Sequence, residues 1–301
     1  GTVRNCAIVD YNPASFEDDY YWAFFEGDNN LLEKCYFKGK NNLHPLVGNA
    51  IEGSRTNTVR GNYFKNIPYA SANGREILRM WGPGKFDPKD PDGAYCLVEG
   101  NLFDGADGEG VETLSLKSNH NRVLSNTVIG TRGCFNIRQG ANNEVKGNII
   151  LGKGVAGTGG LRMSGFNNTV QGNYVSGCDW GIRIQTGEYT QSALTASYER
   201  FIRPKGGESI IGTVADTAPP LDKLNLAPNQ YENNVLLGGT CAYPPAEAGL
   251  KKEALPPGWT EASELGNKKP LTPEEVGPAW VVALRKAGQF AIEDDKSCYR
   301  P

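Results

Sequence analysis

Asn143-Glu-Val145-Lys-Gly-Asn148-Ile-Ile150 returns 25 residues later as Asn168-Thr-Val170-Gln-Gly-Asn173-Tyr-Val175. The same phrase stands earlier as Asn57-Thr-Val59-Arg-Gly-Asn62-Tyr-Phe64 and Asn121-Arg-Val123-Leu-Ser-Asn126-Thr-Val128. Degenerate copies run from Val3 to Ile8, Asn30 to Phe37, Cys96 to Phe103 and Asn229 to Leu236. The second Asn position falls at residues 6, 35, 62, 101, 126, 148, 173 and 234, and its tight intervals are 22 to 29 residues. Self-similarity at that period is the mark of a stacked solenoid. The Leu spacing of leucine-rich repeats is absent, and no helical periodicity links the copies. Short strands of alternating polarity joined by Gly and Asn turns remain, one coil per repeat. The fold expected is all-β, a right-handed parallel β-helix with a C-terminal helical or irregular tail. Asn tolerates the left-handed backbone of a tight corner, and stacked rungs about 4.8 Å apart let its amide form a ladder. Cys6 and Cys35 hold the ladder position in the first two coils.

Outward from the repeat, the helix is expected over residues 1–240, with a tail over 241–301 rich in Pro, Lys, Glu and Ala. Thr272-Pro273-Glu274-Glu275 reads as a helix start, with a cap, Pro at the first position and acids in the first turn. That helix, running to about Lys286, is expected on the C-terminal end of the stack, over its open edge. Gly1-Thr-Val-Arg-Asn-Cys6 is already coil sequence, so a missing segment or a partner chain is expected to cap the first rung. With 301 residues there is ample chain for a sizeable core. No apolar run of about 18 residues is present, so no membrane span is expected. A net charge of −3 argues against a nucleic-acid partner. Two histidines, His44 and His120, make His-ligated metals and His-centred triads poor candidates. The seven cysteines have no CxxC spacing, and Cys241 and Cys298 flank the tail as a candidate staple.

A second phrase precedes the Asn corner. It appears as Ile77-Leu-Arg79-Met-Trp81, Leu114-Ser-Leu-Lys117, Asn136-Ile-Arg138-Gln, Gly160-Leu-Arg162-Met and Gly181-Ile-Arg183-Ile. Stacking predicts that Arg79, Lys117, Arg138, Arg162 and Arg183 climb one face in a single file, about 5 Å per rung. Like charges on neighbouring strands repel, so such a file points to an anionic polymer lying along it. Arg stays charged and holds carboxylates in its fork, whereas a desolvated Lys beside other cations can lose its proton. Lys117 is therefore the natural general base.

Asn73-Gly-Arg-Glu-Ile-Leu-Arg79, Gly108-Glu-Gly-Val-Glu112-Thr-Leu-Ser-Leu-Lys117-Ser118 and Asn136-Ile-Arg138-Gln-Gly140 resemble polysaccharide lyase family 6. That family holds alginate lyases and chondroitinase B, all parallel β-helices. The likeness runs from about Asn30 to Arg183, and Val276-Gly-Pro-Ala-Trp280 is similar to the tail of many alginate lyases. The resemblance implies that Lys117 takes the C5 proton of a uronate and that Arg138 serves the leaving oxygen. Beside these, the cation file itself assigns substrate contacts to Arg79, Arg162 and Arg183, with Gln139 next to Arg138 as a further contact. The resemblance also implies a calcium ion that neutralises the uronate carboxylate, with Asn73 and Glu112 as ligands. Two positions depart from the pattern. Gly110 stands where the second Glu ligand belongs, with Glu109 one place away; Gln139 replaces the His of Arg-His-Gly. Glu112 and Lys117 are an odd number of residues apart, so a bend or bulge is expected between them.

The expected activity is thus β-elimination of an acidic polysaccharide, alginate first, by a secreted or periplasmic lyase. A glycoside hydrolase would need paired carboxylates at the scissile bond, and Asp18-Asp19 or Asp104 with Asp107 are the candidates. A non-catalytic carbohydrate-binding β-helix would use the same cations without needing a Lys.

Overall fold

In the computed structural model the described residues are 1–51, 53–85, 90–184, 229–238, 241–242, 258–261 and 271–288. They wind into a parallel β-helix of three sheets with eight, nine and eight strands. Every ladder is parallel, and each coil gives one strand to each sheet in turn. The first sheet runs from Thr2–Arg4 to Gln230–Glu232 and the second from Ala7–Val9 to Trp259–Glu261. The third runs from Ala23–Phe25 to Cys241–Ala242. Its central strands, Glu112–Lys117, Gly133–Gln139 and Thr158–Met163, have six or seven residues, against three for most others. The coil pattern continues past residue 240. Cys241–Ala242 pairs with Ile182 and Arg183, and Trp259–Glu261 pairs with the strand from Asn234.

Inward residues stack on their own kind. Val59, Val98, Val123, Val145 and Val170 are paired rung to rung in the first sheet. Phe37, Phe64 and Phe103 stack at centroid distances of 5.3 and 5.0 Å. Each such side chain, removed from water, contributes about 1.5–3 kcal/mol. Trp259 joins the same core beside Leu236 at the C-terminal end.

The corner ladder satisfies its own polar groups. Asn101 Oδ1 accepts from the backbone N–H and the side-chain amide of Asn62, at 3.0 and 2.9 Å. The pattern repeats through Asn126, Asn148, Asn173 and Asn234. A second ladder passes from Asn121 through Asn143 and Asn168 to Asn229. The left-handed residue is not the ladder Asn, as the sequence suggested, but the one before it. Gly61, Gly100, Ser125, Gly147, Gly172 and Asn233 carry the positive φ. The amide must point along the stack to reach both neighbours, so the turn is made one position earlier.

The tail also differs from expectation. Thr272 and Glu275 close a turn, with the Thr272 N–H and hydroxyl donating to the Glu275 carboxylate at 3.1 and 3.0 Å. Gly277 and Pro278 end that turn, and the helix begins only at Ala279, running to Lys286. It lies on the flank of the second sheet, not on the end of the stack. Val276 and Val281 pack with Tyr36, Tyr63, Leu102, Ile129 and Leu151, and Trp280 Nε1 donates to Gly61 O at 2.8 Å. No helix among the described residues is long and apolar enough to cross a membrane. Cys6, Cys35, Cys96, Cys134 and Cys178 are free thiols; Cys298 lies outside the described residues, and with it the candidate staple.

Candidate active site

The cations share the outward face of the third sheet but form two files, not one. Register runs Arg79, Ser115, Asn136, Arg162, Arg183. Lys117 pairs instead with Trp81 on one side and Gln139 on the other, two residues further along. Alternation fixes the face of a strand and not its offset along the neighbour, so a shift of two leaves the pattern of apolar residues unchanged. Two irregularities complete the arrangement. Thr113 is extra in its strand, between Glu112 paired with Cys134 and Leu114 paired with Phe135. Arg138 is extra in its own, between Ile137 paired with Leu116 and Gln139 paired with Lys117. The first brings Glu112 onto the same face as Lys117, as the odd spacing required.

Lys117 is almost wholly buried. Its Nζ lies 5.1 Å from the Trp81 ring centre and 3.5 Å from Glu76 Oε1. Burial pushes its amine below the ordinary value; Arg138 and Arg79 push the same way, while Glu76 and Glu112 oppose. Glu112 Oε1 accepts from Asn136 Nδ2 at 2.5 Å and meets Arg138 at 3.5 Å and Arg162 at 3.7 Å. Glu76 also meets Arg79 at 3.7 Å. Arg183 stands one rung beyond Arg162 and rests on the Trp180 ring at 4.1 Å. Gln139 is buried beside Lys117.

Three buried carboxylates, Glu76, Glu109 and Glu112, each present an oxygen within 4.8 Å of the others. The sequence singled out Glu112 and Glu109 but not Glu76. The available signal was an acid three residues before Arg79, inside the quoted Asn73-to-Arg79 stretch. Gly110 has φ +72, and a Cβ there would meet the Tyr69 ring at 2.6 Å, so no Glu fits where the family pattern puts one. Glu109 takes the space instead, accepting the backbone N–H groups of Gly74 and Arg75 at 2.8 and 3.2 Å. Burial, then Glu76 and Glu112, push its carboxyl up to about 7. Asn73 is exposed at the rim of a cavity of about 290 Å³ shared with Glu109, Glu112, Arg138 and Arg162. Glu76 Oε2 and Glu112 Oε2 are buried without a hydrogen-bond partner. Three clustered carboxylates with two unsatisfied oxygens suit a hard divalent cation.

The candidate acid pairs lie elsewhere. Asp104, on the second sheet, accepts from Tyr63 Oη and Lys65 Nζ at 2.9 and 3.0 Å. Asp107 holds Arg132, and Asp19 faces His44.

No curated protein matches the chain. The family profile described as chondroitinase B matches residues 1–181. Among solved structures, a polysaccharide lyase family 6 enzyme of Pseudopedobacter saltans aligns with TM-score 0.66 at 32% identity, over 93% of this chain and 77% of that one. A mannuronic acid specific family 6 lyase from human gut microbiota aligns at TM-score 0.63 and 21% identity, over 86% and 54%. Alginate lyase AlyGC aligns at 0.61 and 20%, over 87% of this chain and 39% of its own length. These last two share the fold with a chain that spans only part of their length.

Proposed function

The chain belongs to polysaccharide lyase family 6, the family of chondroitinase B, and from that premise we propose that it cuts a uronate-containing polymer, alginate first, at Lys117. The observation that carries this reading is a buried Lys117 with its amine pushed down, among arginines and beside a carboxylate cluster. Removing the C5 proton of a uronate builds negative charge next to a carboxylate, so the carboxylate has to be neutralised first. Arg79 and Arg162 stand on the face where that carboxylate would lie. Neutral Lys117 takes the C5 proton on Nζ, the C4–O4 bond breaks, and a C4=C5 double bond forms. Arg138 holds a charge too tightly to give up its own proton, so it stabilises the departing O4 by hydrogen bonding while water protonates it. Calcium, held by Glu76, Glu109 and Glu112 with Asn73 at the rim, would supply further neutralisation of the carboxylate when bound.

Two structural neighbours named for alginate and for mannuronic acid favour alginate over a sulfated glycosaminoglycan. A polymer of that size is met outside the cytoplasm, which fits a secreted or periplasmic enzyme. The deciding experiment is a panel of polymannuronate, polyguluronate, mixed alginate and chondroitin-type polymers, scored for ultraviolet-absorbing unsaturated ends. Alginate blocks should give them. Unsaturated product from the sulfated polymers alone would overturn the alginate assignment.

A further inference from the structure

The outward file of the third sheet changes character at its N-terminal end. In register with Arg79 come Gly48 and then Phe24. Phe24 is 42% exposed. Gly48 offers no side chain, and a Cβ there would lie 2.5 Å from the Tyr21 ring. Tyr21 therefore occupies the place that this rung's side chain would fill. Its ring meets Phe24 at 4.5 Å and His44 at 4.8 Å. Arg79 sits 5.7 Å from the ring centre and donates to the Tyr21 hydroxyl. Three rings thus continue the arginine file on one face.

The loop behind them is braced from below. Lys40 is buried, and its Nζ donates to the carbonyls of Asn42, Leu43 and His44 at 2.9, 2.9 and 2.8 Å. Arg75, also buried, donates to the carbonyls of Lys40 and Asn42 at 3.2 and 3.1 Å. Asn42 Nδ2 reaches across to Asp18 O at 2.7 Å, and Asp19 lies 3.2 Å from His44 Nδ1. Two buried cations carry a desolvation cost, offset here by carbonyls that they hold in one geometry. The result is a rigid seat for half-exposed rings.

We propose that Tyr21, Phe24 and His44 form a distal sugar subsite, stacking the C–H face of a pyranose in the polymer whose carboxylates meet Arg79 and Arg162. The assignment rests on the lyase reading above. Aromatic rings offer a large, rigid apolar face with a polar edge, which suits a sugar with one C–H side and a hydroxylated rim. Gly48 lies two rungs and Phe24 three rungs from the Ser115 rung, about 10 to 15 Å. Only substrates that reach two or three sugars past the cleavage point in that direction would touch the rings.

The test is kcat/KM on size-defined alginate oligomers. The wild-type value should rise with length until the rings are covered. Phe24→Ala should lower it about five- to tenfold for long oligomers, through KM, and flatten the length dependence; Phe24→Trp should restore it. Equal losses at every length, or none, would overturn the subsite. If the wild-type protein releases no unsaturated ends from any polymer, the lyase reading fails on its own. Titration of alginate oligomers into the wild-type protein and Phe24→Ala then decides the subsite by affinity: weaker binding by the variant supports it, and equal binding refutes it.

Discussion

Lys117 and Glu109 are shifted in opposite directions by the same burial. A base must be neutral to accept a proton, and the displaced amine brings the neutral form within reach at lower pH. The rate should therefore rise with pH along a limb centred below 10.5, the ordinary lysine value. Lys117→Ala should cut kcat by about 10³-fold or more while polymer binding persists; residual turnover near wild type would remove Lys117 from the chemistry. Glu109, raised from 4.5 to about 7, binds its proton more tightly folded than unfolded. Its contribution to stability is complete below pH 4.5 and is lost as pH rises to about 7. In chelator, Glu109→Gln should then be the more stable protein at pH 8 by about 3 kcal/mol and little different at pH 4.5. Calcium should raise the wild-type melting temperature at pH 8 and that of the variant less. A melting gap independent of pH would show that folding does not raise the Glu109 carboxyl. Most of these residue types were readable in the sequence. Glu76 was legible only as a neighbour of Arg79, three residues away; Lys117 lies one rung on, and only register adds it.

At the level of strands and corners, the repeat declared the fold because each copy carries its own turn and its own ladder amide. Alternation then placed every cation on the correct face. It left the offset open, since Leu78-Arg79-Met80 and Phe135-Asn136-Ile137 present the same inward pair. Hence Arg138 and Lys117 read as members of the Arg79 file when they stand two residues along it. The extra residue at Arg138 has no signature in the sequence, whereas the one at Thr113 was betrayed by the spacing of Glu112 and Lys117. The ladder makes a sharp energetic claim. Asn126 Oδ1 takes the backbone N–H of Asn101 at 3.0 Å, and its amide donates to Val98 O and to Asn148 Oδ1, each at 3.0 Å. Asn126→Ala would strand that buried N–H and carbonyl, a loss of about 2–4 kcal/mol. Urea unfolding that shows a loss under about 1 kcal/mol would mean that the corner relaxes onto other partners.

The whole molecule is mildly acidic, with net charge −3, yet Arg79, Lys117, Arg138, Arg162 and Arg183 share one sheet face. The tail helix settles on a different sheet, where Tyr36, Tyr63 and Leu102 in one row and Ile129 and Leu151 in the next give it an apolar seat. The repeat leaves the position after the ladder Asn open to any residue, so this outward apolar surface was not legible in it, and its pairing with Val276 and Val281 emerges only in the fold. Among the described residues, the tail segment 271–288 packs on the second sheet and not on the cationic face of the third. A cation-lined face on an acidic protein focuses a polyanion locally, and salt weakens that attraction over about 8–10 Å. Raising ionic strength from about 0.05 to about 0.5 M should therefore raise KM for polymer several-fold while kcat changes little. Carboxylates already seated against the partly buried Arg162 and Arg79 are screened far less than a chain still approaching. A fall in kcat at constant KM would reverse the assignment, placing the salt-sensitive step in the chemistry rather than in capture of the chain.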